Sequence, residues 1–330
     1  MDSRWTTSLG LALMHHDTAA HAVAWARAAE RAGLGSVWII EDYFHPGAFA
    51  LAGAAGAVTE RIAIGLGVVN PYTRHPALLA METAALAGIA PGRVVLGLGS
   101  SNRRWIEEQM AIPFKTPLNA VRECVEIVRR LLGGERLTFK GTSFSLDGVA
   151  LAATPEQAVP IFLGVKGPKA LATAGKIADG VHCSVLASAA HVRRVRQTTG
   201  GRGAVISYVV MAVNADGGRA RQAVKPVLAR YLWVLHGQSI LEDAGLGPVR
   251  TQPFRDALLR GTSAASLVTD ELVETLAVAG TPDECRRGLR RFAEAGLDTA
   301  VAVIPDGLDM TEQIARVGEL SATWKEIRWR

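Results

Sequence analysis

The chain has 330 residues, 49% of them hydrophobic and 20% charged, which is ample apolar material for a sizeable core and excludes a disordered or fibrous protein. Lys and Arg number 36 against 31 Asp and Glu, a formal net charge of +5; so diffuse an excess suits an anionic small ligand and gives no ground for nucleic acid as a partner. Three widely spaced cysteines, Cys124, Cys183 and Cys285, form no CxxC or Cys/His pattern, so reduced core thiols in a cytoplasmic protein are expected, without a disulfide framework or a metal site. No export signal is read at the N-terminus, and no window approaches the roughly eighteen uninterrupted apolar residues of a membrane span.

Runs of β-branched and aliphatic residues alternate with Ala/Leu/Arg stretches of helical period along the whole chain. A strand at 8–14 is followed by a helix at 18–32 ending at Gly33, a strand at 35–42 and a helix near 47–58. The third strand, 61–69, is cut off by Asn70-Pro71; Arg74 and His75 follow, and Pro76 opens a helix to about residue 89. The fourth strand spans 93–99, and after a longer connection a helix runs from about 118 to 132. Residues 137–148 alternate in period two around Gly141 and read as a small hairpin outside the main series. Strands resume at 159–165 and 179–186, each with a helix after it, the first at 168–178. A seventh strand at 204–213, mainly helical sequence without a clear strand at 219–276, a helix at 282–295 and an eighth strand at 299–304 complete the series.

Eight strands joined by helical crossovers match an α/β fold of the (β/α)8 TIM-barrel type, because parallel strands need crossovers and, buried on both faces, read as continuous apolar runs. A doubly wound sheet is the alternative, and the strand count favours the barrel. No linker or composition shift marks a second domain, so residues 1–330 are read as one barrel domain with a hairpin excursion near 137–148 and a mainly helical insertion near 219–276.

In such barrels reactive groups gather where strands end. After strand one come His15, His16 and Asp17; after strand two, Glu41, Asp42, Tyr43 and His45; after strand three, Asn70, Tyr72, Arg74 and His75. Strand four delivers Ser100, Ser101 and Asn102, strand five Lys166 and Lys169, and strand six carries His182 and Ser184. Loops before strands are plainer, so the polar chemistry is segregated to one end. No GxSxG, HExxH or GxxxxGK[ST] motif occurs, which removes the best support for hydrolase, zinc protease and phosphate-loop readings. GLGSSN at 97–102 has Asn102 where a dinucleotide fingerprint needs its third glycine, and reads as a tight turn admitting a flat ligand close to the backbone. GVKGPK at 164–169 puts Pro168 at a helix start between Lys166 and Lys169; from spacing alone it serves equally as a phosphate cradle or as an ordinary strand-to-helix turn. Asp42 ends a buried strand, where a carboxylate must be paired or used. Glu41 should face the other way in a structural role, Arg74 either clamps an anion or, as the safer reading, pairs with Asp42, and His75 serves the helix start or supports the site from behind.

Several stretches together resemble the bacterial luciferase-like family, and within it the deazaflavin-dependent oxidoreductases of methylenetetrahydromethanopterin reductase type. The segments are AERAGLGSVWIIED, GLGVVNPYTRHP, GRVVLGLGSSN, VRECVEIVRRLLGGE, GPKALATAGKIADGV and AVAGTPDECRRGL, spread in this order over residues 29–289. The resemblance implies a hydride-transferring oxidoreductase that binds coenzyme F420, or alternatively FMN, in the barrel mouth and acts on a small-molecule substrate, often as a homodimer; no membrane partner is expected. It implies a cis peptide at Gly67-Val68 supporting the cofactor ring, with Gly99 beside it, polar contacts from Asn70 and Ser101, and His182 close by. It also moves Gly164, Val165, Lys166, Gly167, Pro168 and Lys169 toward the cofactor phosphate. Many deazaflavin members end strand two in Asp-His, whereas this chain has Asp42-Tyr43 followed by Phe44-His45; Asp42 carries over, and the proton donor is open among Tyr43, His45 or neither. Members act on pterins, secondary alcohols, sugar phosphates and secondary-metabolite intermediates, and the resemblance selects none of these. Two rival readings keep the barrel: an FMN-dependent monooxygenase, and a non-catalytic flavin- or partner-binding barrel whose mouth is blocked by Trp105 or the 225–262 region.

Overall fold

The structure, a computed structural model, describes residues 8–14 and 18–328; His15, His16 and Asp17 lie outside the described residues. The chain runs β1 (Gly10–Leu13), α1 (Ala19–Arg31), β2 (Ser36–Ile39), α2 (Ala48–Ala57), β3 (Ala63–Val69), α3 (Pro76–Ile89), β4 (Val94–Leu98) and α4 (Pro117–Leu132). It continues through β5 (Leu137–Lys140), β6 (Ser145–Val149), β7 (Ile161–Leu163), α5 (Pro168–Ile177), β8 (Gly180–Cys183), α6 (Ala189–Thr198) and β9 (Ala204–Val213). The remainder is α7 (Gly217–Val234), α8 (Ser239–Glu242), α9 (Pro248–Leu259), α10 (Asp270–Leu276), β10 (Ala277–Gly280), α11 (Pro282–Glu294), β11 (Thr299–Val303) and α12 (Met310–Arg328).

β1, β2, β3, β4, β7, β8, β9 and β11 pair in parallel in that order, and β11 returns to β1, closing an eight-stranded barrel. The fold is the expected TIM barrel. Every residue of these strands is buried except the half-buried Val68, as parallel strands covered by helices require. The interior is filled from opposite walls: Trp38 on β2 meets Phe162 on β7 at 6.2 Å and His182 on β8 at 5.0 Å between ring centroids. Gly65, its neighbour on β3, makes the room, since a Cβ there would stand 2.3 Å from the Trp38 ring. Cys124, Cys183 and Cys285 are buried free thiols, as expected.

β5 and β6 pair antiparallel as a separate two-stranded sheet. It is fastened to the barrel wall by Glu123 of α4, whose carboxylate accepts from the backbone N–H groups of Thr142, Ser143 and Phe144 at 2.9, 2.9 and 3.1 Å. Two elements escape the sequence reading. β10 pairs with the second half of β9, Val210–Val213, and α12 packs Ile314, Val317, Leu320 and Trp324 into the core. Gln313 of α12 bonds both backbone groups of Val213, its Oε1 accepting at 2.9 Å and its Nε2 donating at 3.1 Å, so that it acts as a strand partner at the end of β9. No helix among the described residues is long and apolar enough to cross a membrane.

Candidate active site

The C-terminal ends of the barrel strands converge on a floor made by Gly67 and Val68. The β3–β4 register slips between Leu66 and Val69, and the Gly67–Val68 peptide is cis, as the resemblance implies; Tyr43–Phe44 is cis as well, which nothing in the sequence announces. Val68 lays its side chain across three glycines. A Cβ on Gly97, Gly99 or Gly164 would stand 2.9, 2.7 and 3.0 Å from a Val68 methyl, so these positions are bare because Val68 occupies the space. Beneath Gly67 lie Trp38, His182 and Tyr208, and the Tyr208 hydroxyl donates to the Gly67 carbonyl at 2.6 Å. Burial holds the His182 ring at a pKa of about 3, so it is neutral at working pH, and its Nε2 has no hydrogen-bond partner among the described residues. Burial likewise raises the Tyr208 hydroxyl well above its ordinary value, with the Asp42 charge adding to the effect.

One wall of the mouth is a continuous polar chain. Arg74 donates to Glu41 at 2.7 Å and faces Glu82 at 3.2 Å, correcting the expected pairing with Asp42. The reason is local: β2 ends at Ile39, and beyond it the strand pleat no longer dictates which way Glu41 and Asp42 point. The Tyr43 hydroxyl lies 3.3 Å from Glu41 Oε2, 3.0 Å from Thr73 Oγ1 and 2.5 Å from Asn70 Nδ2, which donates to it. Asn70 in turn accepts from the backbone N–H groups of Tyr72 and Thr73 at 2.9 and 3.1 Å, shaping the loop after β3. Burial, and then the Glu41 charge, push the Tyr43 hydroxyl up despite the hydrogen bonds it receives. His75 caps α3, its Nδ1 accepting from Ala77 N–H at 3.2 Å, which is the helix-start role expected of it.

A luciferase-like monooxygenase family model matches residues 3–299. The chain belongs to this luciferase-like family. It is 28% identical over 328 residues to a 5,10-methylenetetrahydromethanopterin reductase of Methanolobus tindarius, covering 94% of this chain and 98% of that one. With the enzyme of the same name from Archaeoglobus fulgidus the identity is 30% over 315 residues, 88% of this chain and 91% of that one. The solved structure of the coenzyme F420 dependent tetrahydromethanopterin reductase from Methanopyrus kandleri superposes with a TM-score of 0.85 at 26% identity, covering 96% of this chain and 98% of that one.

In this luciferase-like barrel the turn after β7 forms the opposite wall. Gly167 precedes α5, Pro168 occupies its first turn, and among the described residues no side chain caps its start. Lys166 is largely enclosed, and burial pushes its ammonium pKa down; among the described residues it donates to a neutral partner, Gln238 Oε1, at 3.1 Å. Ser239 Oγ donates to the Lys166 carbonyl at 3.2 Å, so the 219–276 region docks on this turn. Lys169 is exposed. On the β4 loop Ser101 adopts a left-handed φ of 62° and its shielded Oγ has no hydrogen-bond partner among the described residues. A π-helical segment, Arg104–Gln109, follows and sets Trp105 edge-on to Tyr43 at 5.5 Å. His45 is exposed at the rim, its N–H donating to the Asp42 carbonyl at 3.1 Å.

The structure therefore brings Gly67, Val68, Gly99, Gly164 and His182 to one floor, Tyr43 and Asn70 to one wall, and Lys166 to the other. Sequence reasoning missed Tyr208, Thr73 and Tyr231. Tyr208 sits mid-strand in β9 rather than at a strand end, and Tyr231 lies on α7, where the Asp42 charge reaches it. Only tertiary structure brings either to the mouth.

Proposed function

We propose that the protein is an F420-dependent oxidoreductase that exchanges a hydride between the deazaflavin and an organic small molecule. The observation that carries the reading is the floor itself, a valine lying on three glycines at the active end of the barrel, in a chain similar over nearly its full length to a coenzyme F420 dependent reductase. The residues fit such a ligand. Glycine lets a flat ring approach backbone, and Ser101 Oγ and His182 Nε2 are shielded polar atoms with no partner among the described residues. Among the described residues no side chain caps the start of α5, and the nearby Lys166 has a neutral partner, a combination suited to phosphate. When bound, the deazaflavin supplies the hydride-exchanging carbon, C5.

The chain then positions and excludes. Gly67, Val68 and Gly99 back the ring system, Asn70 and Ser101 give polar contacts, His182 stays a neutral group below, and Gly164, Val165, Lys166, Gly167, Pro168 and Lys169 hold the phosphate. Asp42 is the group assigned to proton movement. Tyr43, raised in pKa and bound to Asn70 and Thr73, positions that wall, and His45 remains at the rim. A fluorescence titration with F420 in parallel with FMN tests the reading. Saturable F420 binding with weak FMN binding is expected; tight retention of FMN without F420 binding makes the protein a flavin-dependent barrel instead.

The same chain is proposed to work as a homodimer. α2 has no polar side chain and α3 only Glu82 and Thr83, yet Leu78, Met81 and Ile89 on one face of α3 are 48%, 52% and 48% exposed. An outer helix without a polar face is normally covered, and a second copy supplies the matching stripe. Light scattering should give a dimer that Met81→Glu converts to monomer.

A further inference from the structure

A groove of about 420 Å3 lies on the outer wall of the barrel, lined by Thr116, Pro117, Leu118, Asn119 and Arg122 of the α4 start and by Thr173 of α5. Two hydrogen bonds locate it. Thr173 Oγ1 donates to the Lys169 carbonyl at 3.0 Å, so its α5 wall lies one helical turn beyond residues 164–169, on the face that carries Lys169. On the other side the Tyr72 hydroxyl donates to the Lys115 carbonyl at 2.7 Å, which ties the segment entering α4 to the loop that supplies Asn70. The groove thus starts where the phosphate turn ends, on the outward side of the mouth.

Its charge is one-sided. Lys115, Arg122 and Lys169 are exposed. The Arg122 guanidinium rests on Asn119 Oδ1 at 2.8 and 3.2 Å and lies 3.8 Å from the Glu123 carboxylate. The nearby Glu123 carboxylate has a side chain only 2% exposed, and hydrogen bonds from the 142–144 segment occupy it. Glu126 faces Arg130 at 3.7 Å, further along α4. Among the described residues no carboxylate lines the groove itself. Among the described residues Lys115 and Lys169 form no ion pair, and the one carboxylate beside Arg122 is buried and already engaged, so the rim keeps an excess of positive charge that suits a flexible polyanion.

We propose that this groove takes the oligoglutamate tail of F420, with Lys115, Lys169 and Arg122 as countercharges to its carboxylates; the inference rests on the cofactor reading above. The tail is attached at the phosphate end of the cofactor, so a phosphate held at 164–169 delivers it to the first turns of α5 and α4. Exposed charge pairs contribute little singly, a few-fold in affinity at most, and three together give about tenfold.

The test is the dissociation constant, read by cofactor fluorescence, of three F420 species: one without glutamates, one with two and one with six. Wild type is expected to bind the six-glutamate species about tenfold tighter than the tail-less one, a preference that collapses near 1 M salt, where screening acts within about 3 Å. Arg122→Glu and, independently, Thr173→Glu are expected to abolish the preference and to bind the tail-less species within about twofold of wild type. Equal wild-type affinities for tail-less and six-glutamate species overturn the groove and leave the cofactor reading intact, as does a variant that weakens both species alike. Failure of every species, tail-less included, to bind folded protein overturns the cofactor reading and the groove with it.

Discussion

Adding one methyl group at Gly164, Gly99 or Gly97 drives it into Val68 or the backbone beneath it, by increasing amounts. At Gly164 the new Cβ would lie 3.0 and 3.2 Å from the two Val68 methyls, at Gly99 2.7 Å from one of them, and at Gly97 2.9 Å from a methyl and 2.1 Å from the Leu66 carbonyl oxygen. Carbon atoms settle at about 3.5–4.0 Å, so the Val68 side chain must yield by roughly half an ångström for Gly164→Ala and by nearly one for Gly99→Ala. For Gly97→Ala the obstacle is the Leu66 carbonyl, backbone in the barrel sheet that cannot yield. Overpacking of this kind costs about 1–3 kcal/mol, and each 1.4 kcal/mol or so is tenfold in affinity. The expected series is F420 binding about fivefold weaker in Gly164→Ala and about thirtyfold weaker in Gly99→Ala, with Gly97→Ala losing about 3 kcal/mol or more of folding stability. Fluorescence titration and urea unfolding of the three variants measure both quantities. Gly53→Ala on α2 is the control, because its methyl approaches nothing nearer than Ile89 Cδ1 at 3.8 Å; it should bind normally and gain about 0.5–1 kcal/mol. A Gly99→Ala protein that binds F420 as wild type does, or a reversed order, refutes the role given to Val68.

Arg74→Met strands the Glu41 carboxylate, whose side chain is 4% exposed, and should lose about 3 kcal/mol in urea, near the lower end for a broken buried pair; adding Glu41→Gln should recover more than half of it, whereas additive losses would refute the pairing. Tyr43→Phe leaves the Asn70 amide without its acceptor and should lose about 1–2 kcal/mol. Because the Tyr43 hydroxyl is pushed up by burial, wild-type F420 affinity should show no Tyr43-dependent step between about pH 6 and 9; a step that vanishes in Tyr43→Phe would make it a titrating acid. For His182 the unfolded ring protonates near pH 6.5 and the buried one at about 3, so the unfolded state binds the extra proton between these values. Its stability contribution is full above about pH 6.5 and is lost as pH falls toward 3; urea midpoints from pH 7 to 4 should fall less steeply in His182→Leu.

The barrel strands were legible because each is a short β-branched run buried on both faces, and all eight appear within a few residues of where the pattern puts them. β10 was not, since Ala277-Val278-Ala279-Gly280 carries little strand propensity and pairs only because β9 outruns its other neighbours. α12 carried a readable apolar period, Ile314, Val317, Leu320 and Trp324, that strand counting passed over. At the site, residues at strand ends were legible by position. The partner of Arg74 was not, because direction is lost once the chain leaves the pleat, and Tyr208 and Tyr231 owe their place to long-range packing alone.

β9 and β10 lie side by side over Val210–Val213, with the Asn214 N–H on the Gly280 carbonyl at 3.0 Å. Everything between, α7 to α10, thus leaves and re-enters the fold through two adjacent strands, about 5 Å apart. A segment whose ends are already clamped together can be lengthened, shortened or exchanged at small entropic cost. The barrel thus carries a cassette docked beside its mouth through Gln238 and Ser239, whose exchange would leave the strand ends of the floor in place.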